Sequence, residues 1–153
     1  MHALELKVPP PLVALVVALL MWLVSRLMPP PDVSLAWRLA AALLPAGAGV
    51  VLRGAAQLAF VRARTTINPM QPQASASIVS SGVYRFTRNP MYLGRTLQLL
   101  GWGAFLADAG ALLLVPLYVL YIDRFQVRPE ERALAGQFGE AYLAYTRRVR
   151  RWL

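Results

Sequence analysis

The sequence has no cysteine and a single histidine, His2. The first absence excludes a disulfide framework, a thiolate metal site and a cysteine nucleophile. The second leaves no histidine-based metal centre and no Ser-His-Asp triad. Acidic residues are scarce, 7 against 16 lysines and arginines, for a net charge of +9. Charged residues make up only 15% of the chain and hydrophobic ones 58%, where soluble domains average about 25% and roughly 45–50%.

A strongly basic chain raises nucleic acid as a partner. No long basic tract interleaved with aromatics is present, however, and the arginines sit at the ends of apolar runs. That distribution fits cationic loops held against an anionic leaflet, so membrane lipids rather than nucleic acid are the expected surroundings. The 153 residues suffice for one domain, and the apolar runs make it an all-α, polytopic membrane domain of about four spans plus a C-terminal amphipathic helix.

The first run, 8–28, carries no charge until Arg26 and stops at Pro29-Pro30-Pro31. It lacks a small-x-small cleavage pattern and reads as a retained span rather than a signal peptide. The second, 36–61, is interrupted by Arg53 and Gln57 and holds Gly47, Gly49 and Gly54, which allow a neighbouring helix to approach closely. Arg53 has two readings: it snorkels to the headgroups, or it faces a polar cavity inside the bundle. Residues 62–90 are polar, without apolar period, and longer than a connector needs to be. The runs 91–107 and 109–125 form a helical hairpin around Asp108, or else a pair of re-entrant segments.

Arg62, Arg64, Arg85, Arg88 and Arg95 flank or fill the middle loop, and Arg124, Arg128, Arg132, Arg147, Arg148, Arg150 and Arg151 fill the tail. By the positive-inside rule the loop 62–90 and the C-terminus are cytoplasmic, in an inner or cytoplasmic membrane. From Pro129 a surface helix is expected over 129–150. Leu134, Phe138, Tyr142 and Tyr145 give it one apolar face, with Glu130-Glu131 in the first turn and arginines in the last.

Three features thus gather at one membrane surface: Gly82-Val83-Tyr84-Arg85, Arg88-Asn89-Pro90-Met91-Tyr92-Leu93-Gly94, and Glu130-Glu131. Singly, each has a plainer use. Asn89-Pro90 suits a helix start, the aromatics suit an interfacial belt, the glutamates suit a helix dipole, and Gly101-Trp102-Gly103 suits helix packing.

Together, Gly82-x-Tyr84-x-x-x-Arg88-Asn89-Pro90-x-Tyr92-x-Gly94, then Gly101-Trp102, then Glu130-Glu131-x-x-Leu134-x-x-x-Phe138-Gly139-x-x-Tyr142-x-x-Tyr145-x-x-x-Val149 resemble the signature of the isoprenylcysteine carboxyl methyltransferases and the related phospholipid methyltransferases. The resemblance covers roughly residues 65–153. It implies a helical membrane enzyme that uses S-adenosylmethionine from the cytosol, with no metal, and a lipophilic substrate that enters from the bilayer. Carried over residue by residue, it implies a cofactor pocket of Tyr84, Arg88, Asn89, Pro90, Tyr92, Leu93, Gly94, Glu130, Glu131 and Tyr145. Prenylcysteine enzymes usually have histidine where this chain has Asn89, and asparagine cannot titrate near neutral pH. Both a base role at that position and a prenylcysteine substrate are thereby placed in doubt.

A carboxylate substrate would need a cationic clamp, for which Arg124 and Arg128 are candidates. An amine substrate would need a base, for which Glu131 is the candidate. Competing readings are an NADPH-dependent membrane reductase of similar core and a non-catalytic membrane scaffold.

Overall fold

The structure, a computed structural model, describes residues 5–27, 29, 32–65, 70 and 75–153. Pro30-Pro31, Asn68-Pro69 and Gln71-Pro72, assigned above to a helix stop and to a loop, lie outside them. Among the described residues the chain is helical, without strands. Helix α1 (Pro10–Leu27) starts where a proline needs no N–H partner. Helix α2 (Leu35–Arg62) is long and contains Pro45. A 3-10 turn, Gly82–Arg85, precedes α3 (Pro90–Leu106).

Ala107 turns left-handed (φ 52°), and the Asp108 carboxylate accepts the Ala111 N–H at 2.6 Å. This caps the one-turn α4 (Ala109–Leu112), which leads into α5 (Leu114–Ile122). A π-helical turn, Asp123–Val127, joins α5 to α6 (Arg128–Phe138), and α7 (Glu140–Arg148) follows.

Helices α1, α2 and the continuous run Ala109–Phe138 are long and apolar enough to cross a membrane. The apolar part of that run ends at Asp123-Arg124, and the charged α6 follows it. Helix α3 has 17 residues, about 25 Å of rise against a hydrocarbon core of about 30 Å. Large apolar side chains face outward along α1 and α2, among them Leu15, Leu44 and Val51. In water such a surface would aggregate; in a bilayer it is the solvated face. This is an all-α integral membrane protein.

Small residues set the packing. Helices α2 and α3 run antiparallel in close contact: a Cβ on Gly94 would lie 2.7 Å from the Gly49 carbonyl oxygen, and one on Gly101 2.8 Å from that of Ala42. Arg38 closes the far end of the pair by donating to the Phe105 carbonyl at 2.6 Å. Gly47 and Gly54 meet no neighbour, so Gly49 alone of the three α2 glycines serves the approach. Helix α1 packs on another face of α3, where Trp102 Nε1 donates to the Ala18 carbonyl at 3.0 Å and Met21 is fully buried against Gly103.

The C-terminal part departs from a single helix over 129–150 in two ways. It is continuous with the preceding helix through the π-helical turn, and it breaks at Gly139, whose positive φ of 53° a side chain would resist. Pro129 has a further consequence. It cannot supply the N–H that the Phe125 carbonyl would accept in a helix, and the Leu6 N–H takes that place at 3.1 Å. Residues 5–7, the loop before α3 and the C-terminal helices therefore meet at one end of the bundle.

Candidate active site

At that end a cavity of about 230 Å³ opens between the helices. Its wall includes Tyr84, Asn89, Tyr92, Glu130, Tyr142 and Tyr145, and also Arg53, Arg95 and Tyr118. Glu130 reaches the wall because α6 leaves the π-helical turn with that side chain directed inward. The Tyr92 hydroxyl donates to Glu130 Oε2 at 2.9 Å. Among the described residues no cation pairs with Glu130. Enclosure by the cavity wall pushes its carboxyl from 4.5 up to about 7, opposed by the Tyr92 hydrogen bond and aided by the Glu131 charge.

The neighbouring glutamate has a different task. Glu131 accepts from Arg88 Nη2 at 2.8 Å and from Arg151 Nη2 at 2.6 Å, bridging two guanidiniums. Arg88 also donates to the carbonyls of Thr146 and Val149, each at 3.0 Å. Its backbone N–H donates to the Arg150 carbonyl at 3.0 Å. Asn89 stands at the start of α3 without capping it; its Nδ2 donates to the Arg151 carbonyl at 3.0 Å, and Thr87 Oγ1 donates to the same oxygen at 3.2 Å. The segment 87–89 thus clamps the C-terminal tail, and the clamp presses α7 onto the cavity.

Helix α7 contributes its tyrosines. The Tyr145 hydroxyl donates to the Tyr84 carbonyl at 2.8 Å, and the Tyr84 ring meets Phe60 edge-on at 5.5 Å. Burial raises the phenol of Tyr84, with a further push from Glu130. Burial likewise raises Tyr142 and brings Tyr145 to about 12. All three stay protonated at neutral pH, as neutral aromatic faces and hydrogen-bond donors.

Of the residues carried over by resemblance, Tyr84, Arg88, Asn89, Tyr92, Glu130 and Tyr145 line the cavity. Pro90, Leu93, Gly94 and Glu131 are not in its described wall; Gly94 is spent on helix contact and Glu131 on the tail clamp. The two candidate clamps are also directed elsewhere: Arg124 lies 3.5 Å from Glu5 and Arg128 2.7 Å from Asp123. Tyr118 and Arg95 were not foreseen as site residues. The signal for Arg95 was its place one residue past Gly94 inside an apolar run; Tyr118 carried none.

Residues 37–141 match the family described as phospholipid methyltransferase. The chain belongs to the phospholipid methyltransferase family. An uncharacterized protein of Haemophilus influenzae (strain ATCC 51907 / DSM 11121 / KW20 / Rd) is 43% identical over 63 residues, the whole of that protein and 41% of this chain. No solved structure matches. Family membership points to a membrane methyltransferase acting on lipids; the cavity wall combines tyrosines, the Glu130 carboxylate and the guanidiniums of Arg53, Arg88 and Arg95.

Proposed function

We propose that this phospholipid methyltransferase family protein moves a methyl group from S-adenosylmethionine to an amine or carboxylate of a small or isoprenoid-linked lipid, at the membrane–cytosol interface. One observation carries the reading. In a chain of net charge +9, Glu130 is hydrogen-bonded to a phenol in a tyrosine-walled cavity and, among the described residues, is paired with no cation, although Arg53, Arg88 and Arg95 line the same cavity. A half-buried carboxylate left without a paired counter-charge is costly, and a cationic ligand offsets that cost. S-adenosylmethionine, when bound, supplies a methyl group already activated on a positively charged sulfur.

The chain's own work is to bind and to align. Tyr92 fixes the Glu130 carboxylate. Tyr84, Tyr142 and Tyr145 offer neutral faces to positive charge. The clamp from Arg88 and Asn89 to the tail holds α7 over the cavity and excludes water. Positioning of this kind can contribute about 7–11 kcal/mol to a transfer.

In this reading four segments cross the bilayer, with α3 as the shortest, and the arginine-rich end that holds the cavity faces the cytosol. The test is calorimetric titration of the detergent-purified protein with S-adenosylmethionine, with NADPH as control. Saturable binding of the first alone, lost in Glu130→Gln, is expected. Binding of NADPH instead would replace the proposal by the reductase reading.

A further inference from the structure

Two arginines inside otherwise apolar helices line the cavity without a carboxylate partner among the described residues. Arg53 lies nine positions before the end of α2, about 13 Å of helix from Arg62. Arg95 lies on the second turn of α3. Both line the cavity together with Tyr118, and the two guanidiniums act electrostatically on each other and on that phenol.

Among the described residues neither arginine meets a carboxylate. Arg53 donates to Gln98 Oε1 at 3.3 Å. The nearby acids are used elsewhere, Glu131 and Asp123 by other arginines and Glu130 by Tyr92. Tyr118 is 1% exposed, and among the described residues its hydroxyl has no hydrogen-bond partner.

Two like charges on one cavity wall without a carboxylate, together with a buried donor that has no partner among the described residues, are costly as they stand. A single oxyanion relieves all three at once. Guanidinium forks match phosphate or carboxylate oxygens, and the phenol adds another donor.

Helices α1 and α2 occupy different faces of α3, and each gives the cavity wall an exposed residue, Pro11 and Gln57. We infer that Arg53, Arg95 and Tyr118 form an oxyanion site for the substrate lipid, so that the lipids accepted carry a phosphate ester or a carboxylate. The inference rests on the methyltransferase reading for what happens to that lipid, but the anion site is measurable by itself.

The probes are short-chain amphiphiles titrated into the protein in neutral-detergent micelles: dihexanoylphosphatidylglycerol, decanoate and decyltrimethylammonium, with inorganic phosphate alongside. One or both anionic amphiphiles should bind and the cationic one should not. Arg53→Gln and Arg95→Gln should each weaken that binding at least about tenfold, and Tyr118→Phe should weaken it several-fold. If Arg95→Gln does not fold, Arg95→Lys keeps the charge without the fork and should bind at an intermediate strength. Equal binding of anionic and cationic amphiphiles, or unchanged binding in folded variants, would overturn the site. Inorganic phosphate bound as tightly as the phospholipid would overturn its assignment to a lipid. S-adenosylmethionine titrated into the same samples separates the two readings. Its binding without any anion preference removes the oxyanion site alone. Anion preference without its binding removes the methyltransferase reading alone.

Discussion

The Tyr92 hydroxyl donates to Glu130 at 2.9 Å, while Glu131, the next residue, bridges Arg88 and Arg151. Two adjacent glutamates therefore have separate roles. Glu131→Gln weakens a partly buried ion network and should lower stability by about 1–3 kcal/mol. Glu130→Gln removes a half-buried charge that no cation pairs with and should leave the fold as stable or more so, while abolishing ligand binding. Thermal unfolding in detergent, run beside ligand titration, checks both. Equal loss of stability in the two variants would contradict this division.

Ligand binding should depend on pH through Glu130. Its folded carboxyl lies near 7 against an ordinary 4.5. A raised folded value means that the ligand-free protein loses stability as pH rises through that window and levels off above it. A cationic ligand favours the ionised form, so binding below about pH 7 expels a proton and affinity should rise from about pH 6 to 8. Calorimetry in buffers of different ionisation enthalpy detects that proton. Glu130→Gln should bind weakly and without this pH dependence.

Arg88→Lys keeps the charge but loses the fork that reaches Glu131, Thr146 and Val149. Residues 140–151 should then exchange amide hydrogens faster and be nicked sooner by protease, with the spanning helices unaffected. Protection unchanged along α7 would remove the clamp from the account.

Gly94→Ala places a Cβ against Gly49 and Arg53. Overpacking there should cost about 1–3 kcal/mol of stability. Gly47→Ala meets nothing and should be neutral or gain up to about 1 kcal/mol from helix propensity. The pair of melting temperatures tests the helix contact directly.

The helices were legible because a bilayer demands long apolar runs. The site was legible only in part. Adjacent helical residues point about 100° apart, so which of Glu130 and Glu131 faces the cavity depends on the rotation of α6. That rotation follows from a π-helical turn with no sequence mark except Pro129. Gly94 reads as part of a site motif yet packs on α2, because a glycine for close approach to a ligand and one for close approach to a helix look alike in sequence. Arg53 carried two readings, and its place in the cavity wall came only from the antiparallel register of α2 on α3. The break at Gly139, by contrast, was a residue in plain view whose positive φ no spacing rule announces.

The most direct test is transfer of a labelled methyl group from S-adenosylmethionine into extractable lipid by the purified protein in vesicles, wild type beside Glu130→Gln and Arg95→Gln. Label in lipid with wild type only, and only when an anionic lipid is present, is the predicted result. Binding of S-adenosylmethionine with no label in any lipid, or full transfer by Glu130→Gln, would contradict the account.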